Sequence, residues 1–357
     1  MTLVLSAALL FVLEPMFAKM VLPLLGGSPA VWTTAVLFFQ AVLLAGYAFA
    51  HWSVGLLGVR RQASLHLGLM ALALILLPIA LPAGWAPPAT GSPVLWLLGL
   101  LAVAVGLPFF VVSTMGPLLQ RWFSATDHPA ASDPYFLFRA SNAGSLLGLL
   151  AYPILIEPRL ALPAQARAWS IGYMLLVALT VICAVVLWRS RRADAVPAPR
   201  TTTLQDKPSW ARRAKWVLYA FVPSSLMLGV TAFLTADIAP VPLLWLAPLG
   251  LYLLSFVVVF SPRYGRFRGA IERAFPILAL VALLTMWILA TERSLWFLLL
   301  LHLTVFTVAA LAYHGRLAAD RPAPVRLTEF YLWIGLGGLL GGVANAFLAP
   351  IAFDTLL

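Results

Sequence analysis

The chain of 357 residues reads as an all-α protein, a polytopic transmembrane helix bundle of about 11 helices divided 6+5, and three observations predict it. It is 62% hydrophobic and only 10% charged, with mean hydropathy +0.98, whereas an ordinary globular protein carries about 25% charged residues. Apolar runs bounded by Gly, Pro and charge reach the roughly 20 helical residues that cross a hydrocarbon core, and they do so eleven times. The Lys and Arg residues alternate, eighteen of 23 falling in every second gap between runs and three in the gaps between those.

The first run, 3–24, has no basic stretch ahead of it, contains Glu14 and Lys19 and lacks a small-residue cleavage site, so it is a retained helix and not a signal peptide. Runs at 31–58 and 63–81 flank Arg60 and Arg61, and the fourth, 93–119, stops short of Arg121. The fifth, 135–156, encloses Arg139, and the sixth is 166–188. The stretch 190–213, with Pro197, Pro199, Pro208 and three threonines from Thr201, is basic and poor in apolar residues, as a flexible cytoplasmic connector is. It separates a first half, 1–189, from a second, 214–357, whose runs are 214–235, 242–261, 272–290, 295–313 and 327–351. Only Thr291, Glu292, Arg293 and Ser294 part the ninth from the tenth.

Short basic loops resist translocation, which puts the amino terminus in the cytoplasm. Carried through 11 helices, the alternation leaves Leu357 outside and leads to the expectation that the chain stops one helix short. The net charge of +11 is borne by loops on one side, which argues for attraction to anionic inner-leaflet lipids and against nucleic acid as a partner. Cys183 is the only cysteine, so intrachain disulfides and cysteine-based metal clusters are excluded. No His-Glu metal spacing, nucleophile elbow or phosphate-binding loop is present, so neither an enzyme nor a cofactor is expected.

Ionisable groups inside hydrocarbon are costly and mark functional sites or internal pairs. Glu14, Lys19 and Arg139 are therefore the first candidates, with two readings open: a structural ion pair between helices, or a substrate or proton site. Glu14 and Lys19 stand about 140° apart around a helix of 3.6 residues per turn and need not pair with each other. Arg139 could reach Glu14 or extend to the interface. Gln40, Ser141, Asn142, His302 and Asn345 form a second tier able to hydrogen-bond between helices. Tyr47 and His51 share a face of the second run. Gly144 and Gly148 in the fifth run, and Gly337 with Gly341 and Gly338 with Gly342 in the eleventh, are small residues four apart, the spacing that lets helices approach closely. Pro23, Pro108, Pro117, Pro153, Pro223, Pro248 and Pro276 fall in or near the ends of runs, as in helices that line a cavity. The fifth and eleventh runs, YFLFRASNAGSLLGLLAYP from Tyr135 and FYLWIGLGGLLGGVANAFLAP from Phe330, match as the corresponding helices of an internal repeat would.

The stretch LEPMFAKMVLPLLGGSPAVWTTAVLFFQAVLLAGYAFAH, Leu13 to His51, resembles the amino-terminal membrane region of bacterial proteins called fused major-facilitator/spermidine synthase-like. PLLWLAPLGLYLLSFVVVF from Pro242 and the final glycine-rich run are similar to the same family. The resemblance implies a major-facilitator-like bundle in the bacterial cytoplasmic membrane. Such relatives continue into a soluble aminopropyltransferase-like domain that binds decarboxylated S-adenosylmethionine and a polyamine. Here only IAFDTLL follows Pro350, so no catalytic residue carries over. Glu14, Lys19 and Gln40 lie within the matching stretch. Two functions follow as expectations: a transporter-like bundle that moves a small, amine-containing solute, or a non-catalytic membrane anchor for an aminopropyltransferase-like partner.

Overall fold

The computed structural model describes residues 1–25, 29–82, 84–87, 93–191, 193, 207–237, 246–288 and 295–352, and among them it forms helices and no strand. In order these are α1 (Thr2–Leu25), α2 (Pro29–Ala73), α3 (Pro93–Leu101), α4 (Leu107–Ser113), α5 (Met115–Ser124), α6 (Phe136–Ala151), α7 (Leu162–Arg189), α8 (Trp210–Asp237), α9 (Leu246–Val259), α10 (Arg268–Ile288), α11 (Leu295–Ala319), α12 (Leu327–Val343) and α13 (Ala349–Ala352). Each expected crossing meets helix. Thr291 to Ser294, Arg200, most of the connector, Pro242 to Trp245 and the carboxyl-terminal residues from Phe353 lie outside the described residues.

The elements differ from expectation at several ends. The second and third runs are joined in α2, and the break between them is concentrated at Gly58, whose φ of 71° favours glycine. The third run ends before 81, because Leu77 precedes Pro78 and is driven into the extended region at φ −99°, ψ 146°. The fourth run continues through α3, α4 and α5 to Ser124, the seventh starts earlier, at Trp210, and the tenth continues to Ala319. Apolarity reports where hydrocarbon ends, and a helix need not stop there.

Three segments widen to π-helix: Ala102–Gly106, Tyr152–Ile156 and Ala344–Leu348. Pro153 lies within the second of them and Pro108 just after the first. A proline supplies no amide hydrogen and pushes against the preceding turn, and a widened turn accommodates both effects.

The chain forms two compact units, residues 1–209 with 322–335 and residues 210–321 with 336–357. The halves drawn from sequence, 1–189 and 214–357, placed 322–335 in the second. In the first unit α1 is the central helix. Gly144 and Gly148 of α6 lie against the backbone of Val4 and Ala8, where a Cβ would come 2.7 Å and 2.8 Å from their Cα atoms. Farther along the same pair, Lys19 meets Glu157. Partner numbers rise together, so α1 and α6 run parallel, as two crossings that begin on one side must. The opposite face of α1 meets α7, where Trp169 Nε1 donates to Leu9 O at 2.8 Å and Thr2 Oγ1 lies 3.6 Å from Cys183 Sγ. On α7 the large residues Ile171, Met174, Leu175, Ile182 and Val186 are exposed. Such a helical apolar stripe belongs against lipid.

The second unit repeats the parallel pairing with α8 and the later part of α12. Gly337 and Gly341 lie against the α8 backbone, where a Cβ would come 3.1 Å from Phe221 N and 2.9 Å from Ser225 N respectively. Asn345 then reaches Ser225. A pair of glycines four apart followed by a π segment thus occurs once in each unit, at α6 and at α12. Gly338 behaves differently from Gly337 and Gly341: among the described residues no atom outside its own helix backbone lies within 4 Å of where its Cβ would be, so its expected packing role is corrected, and its carbonyl instead accepts from Ser224 Oγ at 3.0 Å. Gly342 is buried.

Candidate functional site

The candidate residues of the first unit stand on α1, α2, α5, α6 and the beginning of α12. Glu14 is half-buried near the middle of α1, beside Pro15 within the helix. Among the described residues its carboxylate makes no hydrogen bond and no ion pair. Lys19 instead pairs with Glu157, at the end of the π segment that follows α6. Arg139 is half-buried on α6 and pairs with neither. Among the described residues Glu14 therefore has no counter-ion, while Lys19 has one.

The side chains of Lys19 and Glu157 remain 41% and 35% exposed, so the pair is screened as a surface bridge is. A double-mutant cycle on Lys19→Gln and Glu157→Gln, read by thermal unfolding, is expected to give a coupling below about 1 kcal/mol with solute uptake retained. A coupling several times larger, or loss of uptake, would show that the pair does more than tie α1 to α6.

On α2, Gln40, Tyr47 and His51 are seven and four residues apart and share a face. His51 Nδ1 lies 3.1 Å from Thr328 Oγ1, and the Tyr47 ring stands edge-on to Tyr331, centres 5.7 Å apart. Tyr331 is the hub of a buried group. Its hydroxyl accepts from Gln120 Nε2 at 2.5 Å, and its ring meets Phe138 at 5.1 Å. Gln120 Nε2 also donates to Gly116 O at 3.1 Å, which leaves Gln120 Oε1 buried with no partner. Gln40 Oε1 is likewise buried without one. A buried polar atom without a partner costs about 1–3 kcal/mol. Among the described residues of the first unit, the Glu14 carboxylate and the buried amide oxygens of Gln40, Gln120 and Gln165 bind no protein group, and neither do the buried donors Gln62 Nε2, Trp85 Nε1 and Arg121 Nε.

The remaining candidates are committed to their surroundings. Asn142 Nδ2 donates to Phe138 O in its own helix at 2.9 Å. Asn345 Nδ2 donates to Ser225 O, Ser225 Oγ and Gly341 O at 3.1, 2.8 and 3.0 Å, a packing role in the second unit. His302 Nδ1 lies 2.7 Å from Leu298 O and its ring stacks on Phe233.

Several polar residues were not singled out from sequence. Arg121 was assigned to a loop and is only 3% exposed on α5, with Nη1 donating to Ser124 Oγ at 3.1 Å. Trp122 Nε1 donates to Gln62 Oε1 at 2.7 Å. In the second unit, Ser255 Oγ donates to Tyr252 O at 2.6 Å and so accepts from His314 Nδ1 at 2.7 Å. The polar run Gln120–Arg121 at the end of an apolar stretch was the only signal for the first of these. Among the described residues no group of His, Cys, Asp or Glu is arranged to hold a metal ion.

No protein-family model and no curated protein sequence matches the chain. Solved structures do. The proton:xylose symporter XylE of the major facilitator superfamily matches 99% of this chain and 88% of its own, with 13% identity and a TM-score of 0.54. The major facilitator transporter FucP in its outward conformation matches 99% of this chain and 91% of its own, with 15% identity and a TM-score of 0.50. The protein thus has a major-facilitator-like, all-α, multi-pass membrane fold.

Proposed function

We propose that the protein is a transporter that moves a small solute across the membrane, with Glu14 as its cation- or proton-binding carboxylate. The observation that carries this reading is the uncompensated Glu14 in the middle of a membrane helix, within a fold that two solved transporters share along almost the whole chain. A carboxylate is retained at such a depth only at a cost, and a bound cation or proton offsets that cost. Gln40 Oε1 and Gln120 Oε1 add buried acceptors without a partner on α2 and α5. A carboxylate that binds a cation also suits an ammonium group, and we extend the proposal to a small amine-containing solute. The resemblance around Leu13 to His51 adds an aminopropyltransferase-like protein as a proposed partner and the bacterial cytoplasmic membrane as the proposed location, with the amino terminus inside.

Uptake by the purified protein in proteoliposomes tests the reading. Polyamines and neutral sugars are offered separately, with and without an imposed proton gradient. Saturable amine uptake that sugars do not compete with is expected. Gradient-driven sugar uptake alone would keep the transporter and remove the amine. Absence of uptake and of exchange for both classes, by protein shown to be folded, would overturn the transporter reading.

A further inference from the structure

At one end of the second unit, the start of α8, the end of α9, the start of α10 and the end of α11 meet in a layer tied together by polar contacts. Arg212 Nε lies 3.0 Å from Asp320 Oδ1, and Trp216 Nε1 donates to Asp320 Oδ2 at 2.7 Å. Arg316 lies 4.0 Å from Glu272 and has its guanidinium 5.4 Å and 5.9 Å from the ring centres of Tyr313 and Tyr219. Glu272 in turn accepts from Arg268 at 3.0 Å.

The connection from α9 to α10, residues 261–267, is fixed in this layer by Tyr264. Its hydroxyl donates to Leu311 O at 2.7 Å. Its ring lies against Gly315, where a Cβ would come 2.8 Å from Cε1, so the approach requires glycine. Burial raises the Tyr264 pKa above its ordinary value, and the hydroxyl keeps the proton it donates. With Tyr264 directed inward, its neighbours are left outward. Arg263 and Arg266 are exposed, and among the described residues their side chains make no ion pair. Phe267 is 61% exposed. In the same layer Lys215 is exposed and makes no ion pair among the described residues, and Trp210, 73% exposed, has Arg213 over its ring at 4.6 Å. Farther along α10, Ile277, Leu280 and Leu283 are exposed apolar residues suited to lipid tails, which sets the turn at headgroup height.

We propose that the turn from Arg263 to Phe267 is a binding surface for anionic phospholipid headgroups. Arg263 and Arg266 hold the phosphate, and Phe267 enters the boundary between headgroup and acyl chain, where an aromatic ring is favoured. The cations are presented at fixed positions because Tyr264 anchors the turn, and continuity with the exposed face of α10 favours lipid over a soluble acidic protein.

The test uses the full chain in nanodiscs of phosphatidylcholine mixed with phosphatidylglycerol, with the lipid retained on extraction measured by mass spectrometry. The unaltered protein is expected to retain phosphatidylglycerol preferentially. The R263Q/R266Q variant should lose that preference by about fivefold for each cation removed, while R263K/R266K keeps most of it, since charge rather than guanidinium shape is responsible. Equal thermal midpoints in pure phosphatidylcholine show that the loss is not misfolding. If R263Q/R266Q will not fold, F267S is measured in its place and is expected to retain less phosphatidylglycerol than the unaltered protein. An unchanged preference in the variant measured overturns the proposal, as does a preference for a soluble acidic protein that phosphatidylglycerol does not displace.

Discussion

Replacing Glu14 with Gln is expected to leave the protein folded and to lower solute uptake in proteoliposomes about ten- to a hundred-fold, the range set by losing one charge-assisted contact. Folding should persist because the Glu14 carboxylate supports nothing in the described structure. Lys19, the nearest cation in sequence, is held by Glu157, and Arg139 makes no ion pair with it. Gln keeps the volume and the acceptor and removes only the charge and the site for a proton. The form of the loss separates the two roles of the carboxylate. If Glu14 carries a coupling proton, Glu14→Gln should abolish gradient-driven accumulation yet retain exchange of solute across the membrane, because exchange needs no net proton movement. If Glu14 binds the amine itself, both should fall, with a weakened apparent affinity. Normal accumulation by the variant would remove Glu14 from the mechanism.

The sequence showed which groups were unusual but not how they were paired. Glu14 and Lys19 stood out because a charge in an apolar run is rare, and their angular separation on one helix meant that they need not pair with each other. The true partner of Lys19 was hidden, since Glu157 lies just past the fifth apolar run and reads as an ordinary loop acid. Only the parallel packing of α6 on α1 brings it within reach. Gln120 and Arg121 were assigned to a loop for a related reason: hydropathy ends where polar residues begin, whereas α5 continues to Ser124 and buries both. Helix count survives that kind of error because each crossing needs a long apolar core, and a few extra polar turns do not alter the number of cores. The glycine string gave the packing chemistry but left its register open. Gly337 with Gly341 and Gly338 with Gly342 have the same spacing, and only the rotation of α12 against α8 selects between them.

That selection gives a prediction whose sign differs between neighbouring residues. Alanine at Gly338 should stabilise the protein or leave it unchanged, because a Cβ there meets nothing within 4 Å and alanine is favoured over glycine in a helix by about 0.8–1 kcal/mol. Ser224 bonds the Gly338 carbonyl, which the substitution keeps. Alanine at Gly341 should destabilise by about 1–3 kcal/mol, the usual cost of overpacking, since its Cβ would come 2.9 Å from both Ser225 N and Ser224 Cβ. Backbone cannot turn aside as a long side chain can, so α8 and α12 would have to separate. Gly148 should behave in the same way in the first unit, where a Cβ would come 2.6 Å from Ala8 O and 2.8 Å from Ala8 Cα. Thermal unfolding of the three purified variants checks this, with midpoints expected to fall for Gly148→Ala and Gly341→Ala and to hold or rise for Gly338→Ala. Equal shifts at Gly338 and Gly341 would mean that the packed face of α12 is not the one carrying Gly337 and Gly341. The parallel α8 and α12 pairing, and with it the repeat of the α1 and α6 pairing, would then be wrong.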